Sequence, residues 1–124
     1  MTPEEIISVD AKNNKGGMDP VINKRILQIM QAEGAQVLKE GNTLFAFIPG
    51  KNFSVEVHTF NADPLEKFIS NIKAFLRMLK KLGAKTVWTE FDDPKTKKIF
   101  DLIAPEFNFK ITKNDRYMAK AVLS

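Results

Sequence analysis

The chain predicts one α/β (α+β) domain, with a mixed, mostly antiparallel sheet and about three helices. Three observations predict it. Asp-Pro pairs at residues 19, 63 and 93 each open a run with helical periodicity. Between them lie short runs rich in β-branched and aromatic residues, bounded by turn signals. A length of 124 residues suits a single domain, and one of that size buries a core without crosslinks.

The elements follow in order. Ile6, Ile7 and Val9 suggest a short strand before the loop Asn13-Asn14-Lys15-Gly16-Gly17, so residues 1–17 are expected to be a flexible segment and 18–124 the domain. Asp19-Pro20 opens a helix whose apolar stripe is Val21, Ile22, Ile26, Ile29 and Met30, ended by Gly34. Gln36 to Glu40 and Thr43 to Ile48 flank Gly41-Asn42, a tight hairpin signal. After Pro49-Gly50-Lys51 the run from Phe53 to Phe60 alternates, completing a three-strand meander. The helix from Pro64 to Leu82 has the strongest periodicity, places Phe68, Ile72, Phe75 and Leu79 toward the sheet, and spans roughly 28 Å. Lys85 to Phe91 is a strand, Asp93-Pro94 opens a third helix ended by Pro105, and Phe107–Thr112 pairs with Tyr117–Leu123. Both later helices join strands as crossovers.

Composition excludes several chemistries. Without cysteine there is no disulfide, thiolate metal site or Cys nucleophile, and one histidine, His58, excludes a His-based metal cluster. No metal is expected. No apolar run reaches the length of a membrane span or a signal peptide, so a cytoplasmic protein is expected. The net charge of +4 is spread along the chain, so a solvated lysine-rich surface explains it better than nucleic-acid binding. Arg77, Lys80, Lys81 and Lys85 could face phosphate, but complementing a helix dipole predicts the same residues.

Glu56 and His58 stand two apart in one strand and project from the same face, which suits a carboxylate-supported base; a half-exposed polar pair is the alternative. Glu90, Asp92 and Asp93 cluster at a strand end, where a weak Mg²⁺ or amine site competes with a plain helix cap at Asp93. Tyr117, the only tyrosine, reads as a strand residue or an acid.

The stretch Asp93 to Phe107, DPKTKKIFDLIAPEF, with KTVWTEF before it and NFKIT after it, resembles the closing half of the GNAT (acyl-CoA N-acyltransferase) fold. The resemblance covers roughly Asp19 to Leu123, with the family's first strand and first helix missing or reduced to Glu5–Ala11. It implies an acyl-CoA site where the fourth strand of the family meets the next helix, here at Asn61, Ala62 and Asp63. That segment has no glycine, Pro64 lacks an N–H, and Asp63 brings a negative charge. The family's motif of an Asn followed seven residues later by a thiolate-protonating Tyr falls on Asp93 and Phe100, and phenylalanine has no proton to give.

These departures resemble compact GNAT-like proteins of tailed phages, some of them virion components. The expectation is therefore a non-catalytic GNAT-like protein that needs no cofactor, binds acetyl-CoA weakly or not at all, and acts through a protein partner or self-association, in a host cytoplasm or a virion. The alternative is an acyl-CoA-dependent N-acetyltransferase with a degenerate cofactor loop, using acetyl-CoA and taking Glu56 or His58 as its base.

Overall fold

Alternation over residues 36 to 60 produces an antiparallel meander of β1 (Gln36–Glu40), β2 (Thr43–Pro49) and β3 (Ser54–Asn61) in a computed structural model that describes residues 1–13 and 20–123. A 3-10 turn over Lys51–Phe53 separates β2 from β3. Helix α3 (Leu65–Lys81) then crosses the sheet to β4 (Thr86–Phe91), which lies parallel to β3. A 3-10 turn over Pro94–Thr96 leads into α4 (Lys97–Ile103), and β5 (Phe109–Lys113) and β6 (Tyr117–Val122) close the chain as a hairpin. Among the described residues six strands run in the order β1-β2-β3-β4-β6-β5, and the β3–β4 contact is the one parallel pair.

Two helices precede β1, where one was expected. Residues Pro3–Asn13 form helix α1 instead of a short strand in a flexible segment, with Ile6 and Ile7 fully packed. Ile6, Ile7 and Ala11 share one helical face, a pattern of four residues that a strand reading of Ile6, Ile7 and Val9 overlooks. Helix α2 covers Pro20–Ala32; the expected Asp19 cap and the loop at residues 14–17 lie outside the described residues. Leu27 and Met30 of α2 are buried, while Val21, Ile22 and Ile29 are exposed. Of the expected stripe, Ile26 and Met30 pack against the sheet, and Leu27, left out of it, is buried with them.

The helices make two layers. On one face of the sheet, α1 and α2 bury Ile6, Ile7, Leu27 and Met30 against Leu44, Ala46 and Phe60. On the other, α3 and α4 bury Phe75, Leu79, Phe100 and Ile103 against the opposite sides of the strands, including Phe45, Phe47 and Val87. Phe75 is 1% exposed and stacks on Phe45 with centroids 4.1 Å apart. Leu79 faces the sheet as expected, whereas Phe68 and Ile72 are half-buried beside a cleft. Among the described residues no helix is long and apolar enough to cross a membrane.

Truncating Phe75 to Ala should cost about 4 kcal/mol, since it removes a ring from a well-packed site. Chemical denaturation measures it, and a loss below about 1 kcal/mol would show that α3 packs differently.

Candidate active site

Parallel pairing between β3 and β4 stops after three residue pairs, Ser54–Thr86, Val55–Val87 and Glu56–Trp88. Beyond them β3 continues to Asn61 paired only with β2, and β4 continues to Phe91 paired only with β6. The facing edges of the two strands therefore carry backbone N–H and C=O groups with no ladder partner, which in a sheet interior demand one.

A cleft of about 640 Å³ occupies this opening and passes from one face of the sheet to the other. On the α1/α2 side its wall includes Asp10, His58, Trp88 and Glu90. On the α3/α4 side it is lined chiefly by apolar residues, among them Phe68, Ile72, Phe75, Phe91 and Phe100.

Each side of the opening is anchored separately. At the end of β3, Asn61 donates its N–H to Asp10 Oδ1 of α1 at 2.9 Å, and its side-chain oxygen accepts from the buried Thr43 hydroxyl at 2.8 Å. Asn71, 3% exposed in α3, donates to Thr43 Oγ1 at 3.0 Å and to Asp63 Oδ2 at 2.8 Å. Asp63 also accepts from the Asn42 backbone N–H at 2.8 Å and from its side chain at 3.3 Å. Gly41, at φ +57°, makes room for this cluster, because a Cβ there would fall within 2.9 Å of the Asn71 and Asp63 side chains. Burial raises the Asp63 pKa, but the donors from Asn42 and Asn71 outweigh it and hold the carboxyl below its ordinary value.

The end of β4 is tied the other way. Arg116, in the β5–β6 turn, binds Asp92 at 2.7 Å and Glu90 at 3.1 Å. Phe91 stacks on Phe100 at 5.3 Å and on Tyr117 at 5.1 Å. Asp93 accepts the Lys95 N–H at 2.9 Å and is the cap of the 3-10 turn. The acidic cluster is thus a strand-end clip, and no group of residues suited to a metal ion occurs among the described residues.

The other sequence candidates fall into place around the cleft. His58 lines it, and His58 Nε2 lies 3.6 Å from Glu56 Oε1, with both side chains about one-third exposed. Asn61, Ala62 and Asp63 lead into α3, but Asp63 is turned onto the β1–β2 hairpin and does not face the helix start. The N-cap residue Pro64 offers no side-chain bond, and the N–H groups of Leu65, Glu66 and Lys67 stand in the exposed first turn of α3. Tyr117 is a strand residue stacked on Phe91, with Lys113 Nζ 4.8 Å from its ring centre. Arg77 makes a bidentate pair with Glu106 at 2.6 and 2.7 Å, so it does not join a phosphate-facing patch. Sequence reasoning missed Asp10 and Trp88, whose places in the wall follow from the α1 helix and the strand register.

No protein-family profile matches the chain, and no curated protein does. Solved structures do. An N-acetyltransferase of Staphylococcus aureus Mu50 is similar at 12% identity with a TM-score of 0.62, covering 99% of this chain and 96% of its own. The Salmonella typhimurium protein yncA, with its cofactor acetyl-CoA, is 10% identical at a TM-score of 0.61, over 98% and 86% of the two chains.

The chain has the GNAT fold. A GNAT superfamily phosphinothricin acetyltransferase of Sinorhizobium meliloti, in complex with acetyl-CoA, matches at 10% identity and a TM-score of 0.57, over 98% of this chain and 78% of that one. These findings overturn the expectation of a non-catalytic, cofactor-free protein acting through protein contacts: the neighbours are consistently acetyltransferases, two of them with acetyl-CoA in place, and they favour the alternative. The physical reason the sequence misled is Asp63, whose charge is bound into a hairpin and not set against a phosphate.

Replacing Asp63 with Ala should cost about 2 kcal/mol, because it leaves the Asn71 amide and the Asn42 N–H without their acceptor. Its folded pKa is depressed, so its contribution is complete above the unfolded value near 3.8 and is lost as pH falls through the folded one. Urea titrations from neutral pH down to about pH 2 should show the gap between wild type and Asp63→Asn closing below about pH 4.

Proposed function

We propose that the chain is an acyl-CoA-dependent N-acyltransferase, with acetyl-CoA as its donor. The observation that carries this reading is the opening between β3 and β4. A ligand with amide groups along an extended arm can pair with the free edges of both strands, as an added strand would. The remaining fit is favourable. The first-turn N–H groups of α3 suit a pyrophosphate, with Lys67 beside them; Glu66 is the acidic residue of that turn, and Asp63 is bound into the β1–β2 hairpin. The apolar wall on the α3/α4 side suits a thioester kept from water.

The residues divide the work by face. The amine enters on the α1/α2 side, where His58 accepts its proton as it attacks the thioester carbonyl. Glu56, one step deeper in the strand, stabilises the imidazolium that results and keeps the ring turned toward the cleft. Acetyl-CoA supplies the activated acyl group. The chain supplies alignment of the two reactants and a sink for the proton.

Calorimetric titration with acetyl-CoA, followed by thiol release with a panel of primary amines, tests the proposal. Micromolar binding is expected, abolished by Ala62→Trp at the entry to α3. His58→Gln should lower kcat by about 100-fold while leaving acetyl-CoA affinity within a factor of about two. Absence of any acetyl-CoA binding would refute the reading.

A further inference from the structure

The α3/α4 side of the cleft poses a chemical problem. The departing sulfur carries negative charge, yet the ring at the helix position facing it is Phe100, buried and stacked on Phe91. Side-chain donors on that side are few. The Asn61 amide is committed to the Asp63 carbonyl at 2.8 Å, and Asp93 is an acceptor for the Lys95 N–H. What remains are the hydroxyls of Thr59, Thr89 and Thr96. Thr59 is exposed, two residues from the far end of β3.

Thr96 stands apart from the other two. Threonine in the residue before a helix ordinarily turns its oxygen onto the helix's first N–H groups. Here Thr96 has helical dihedrals, φ −62° and ψ −28°, and makes no capping bond. Asp93 caps the preceding turn in its place. Thr96, half-buried, lines the cleft one helical turn before Phe100, which lines it too. A hydroxyl and a ring spaced by four residues share one face of the helix.

Resting on the acyltransferase reading, we infer that the Thr96 hydroxyl is the hydrogen-bond donor to the departing CoA sulfur. As the amine nitrogen forms its bond to the acyl carbon and the C–S bond breaks, the electron pair leaves with sulfur. The amine's proton goes to His58, and the thiolate departs unprotonated, held by the Thr96 O–H, to take a proton from water after release. A fixed donor aimed at developing charge in an apolar wall lowers the barrier without transferring its proton. The Phe100 position then needs no acid: Thr96 does the part of the work that stabilises sulfur, and Phe100 keeps water away from it.

The assignment is tested on the intact chain with Thr96→Val, Thr96→Ser and, as a control on exposed β5 away from the cleft, Thr112→Val. Thr96→Val should lower kcat by about 10- to 100-fold, the worth of one hydrogen bond to a charged atom, with KM for acetyl-CoA changed by less than about threefold. Thr96→Ser should restore most of the rate, Thr112→Val should retain it, and thermal midpoints should agree for all three.

A second readout does not depend on turnover. Ultraviolet absorbance of the thiolate of bound CoA, followed against pH, should show the thiol ionising at lower pH on the wild type than on Thr96→Val. CoA that binds both proteins and ionises identically on them would overturn the role of Thr96 alone, as would a Ser variant as slow as the Val variant, or an equal loss in Thr112→Val. Failure of CoA to bind the wild type would overturn the acyltransferase reading and this assignment with it.

Discussion

The proposed site depends on the early end of one strand pairing. Three parallel residue pairs join β3 to β4, and after Glu56 and Trp88 the strands diverge. A sheet that had zipped to its end would have no cleft, no free backbone edges and no route from one face to the other. The cost of leaving backbone groups unpaired inside a fold is substantial, so the divergence has to be enforced from both sides.

The enforcement is visible in the anchors. β3 is drawn toward α1 and the β1–β2 hairpin by Asp10, Thr43, Asn71 and Asp63, a network in which the buried polar atoms all find partners. β4 is drawn toward the β5–β6 turn by Arg116 and toward α4 by the stacked rings of Phe91 and Phe100. The same contacts that hold the strands apart also place His58 on one side of the opening and Thr96 on the other. Stability and the site geometry are therefore coupled: loosening Asp63 or Arg116 should disturb the cleft before it unfolds the domain.

Much of the fold was legible in the sequence. The Asp93-Pro94 start, the Gly41-Asn42 turn and the inward placing of Phe75 and Leu79 on α3 each rest on local chemistry that tertiary structure left unchanged. Helix α1 was less legible, because eleven residues with three inward side chains give a weak period. The inward face of α2 was legible in part: Ile26 and Met30 of the stripe pack inward, but so does Leu27, while Val21, Ile22 and Ile29 do not. At the site, Glu56 and His58 follow from strand alternation, but the meaning of Asp63 does not. A carboxylate before a helix reads as a charge at its start, and only the placement of Asn42 and Asn71, 21 residues before it and eight after, turns it aside. Long-range hydrogen bonds of this kind have no local signature.

Amide hydrogen exchange with and without acetyl-CoA tests the central claim most directly, because it reads the backbone groups on which the account rests. Slowed exchange should be confined to the free edges, residues 57–60 of β3 and 89–91 of β4, together with the first turn of α3 at residues 65–67. The paired strands β1 and β5 should be unaffected. Protection elsewhere, with those three segments unchanged at saturating acetyl-CoA, would contradict a donor site in the opening of the sheet.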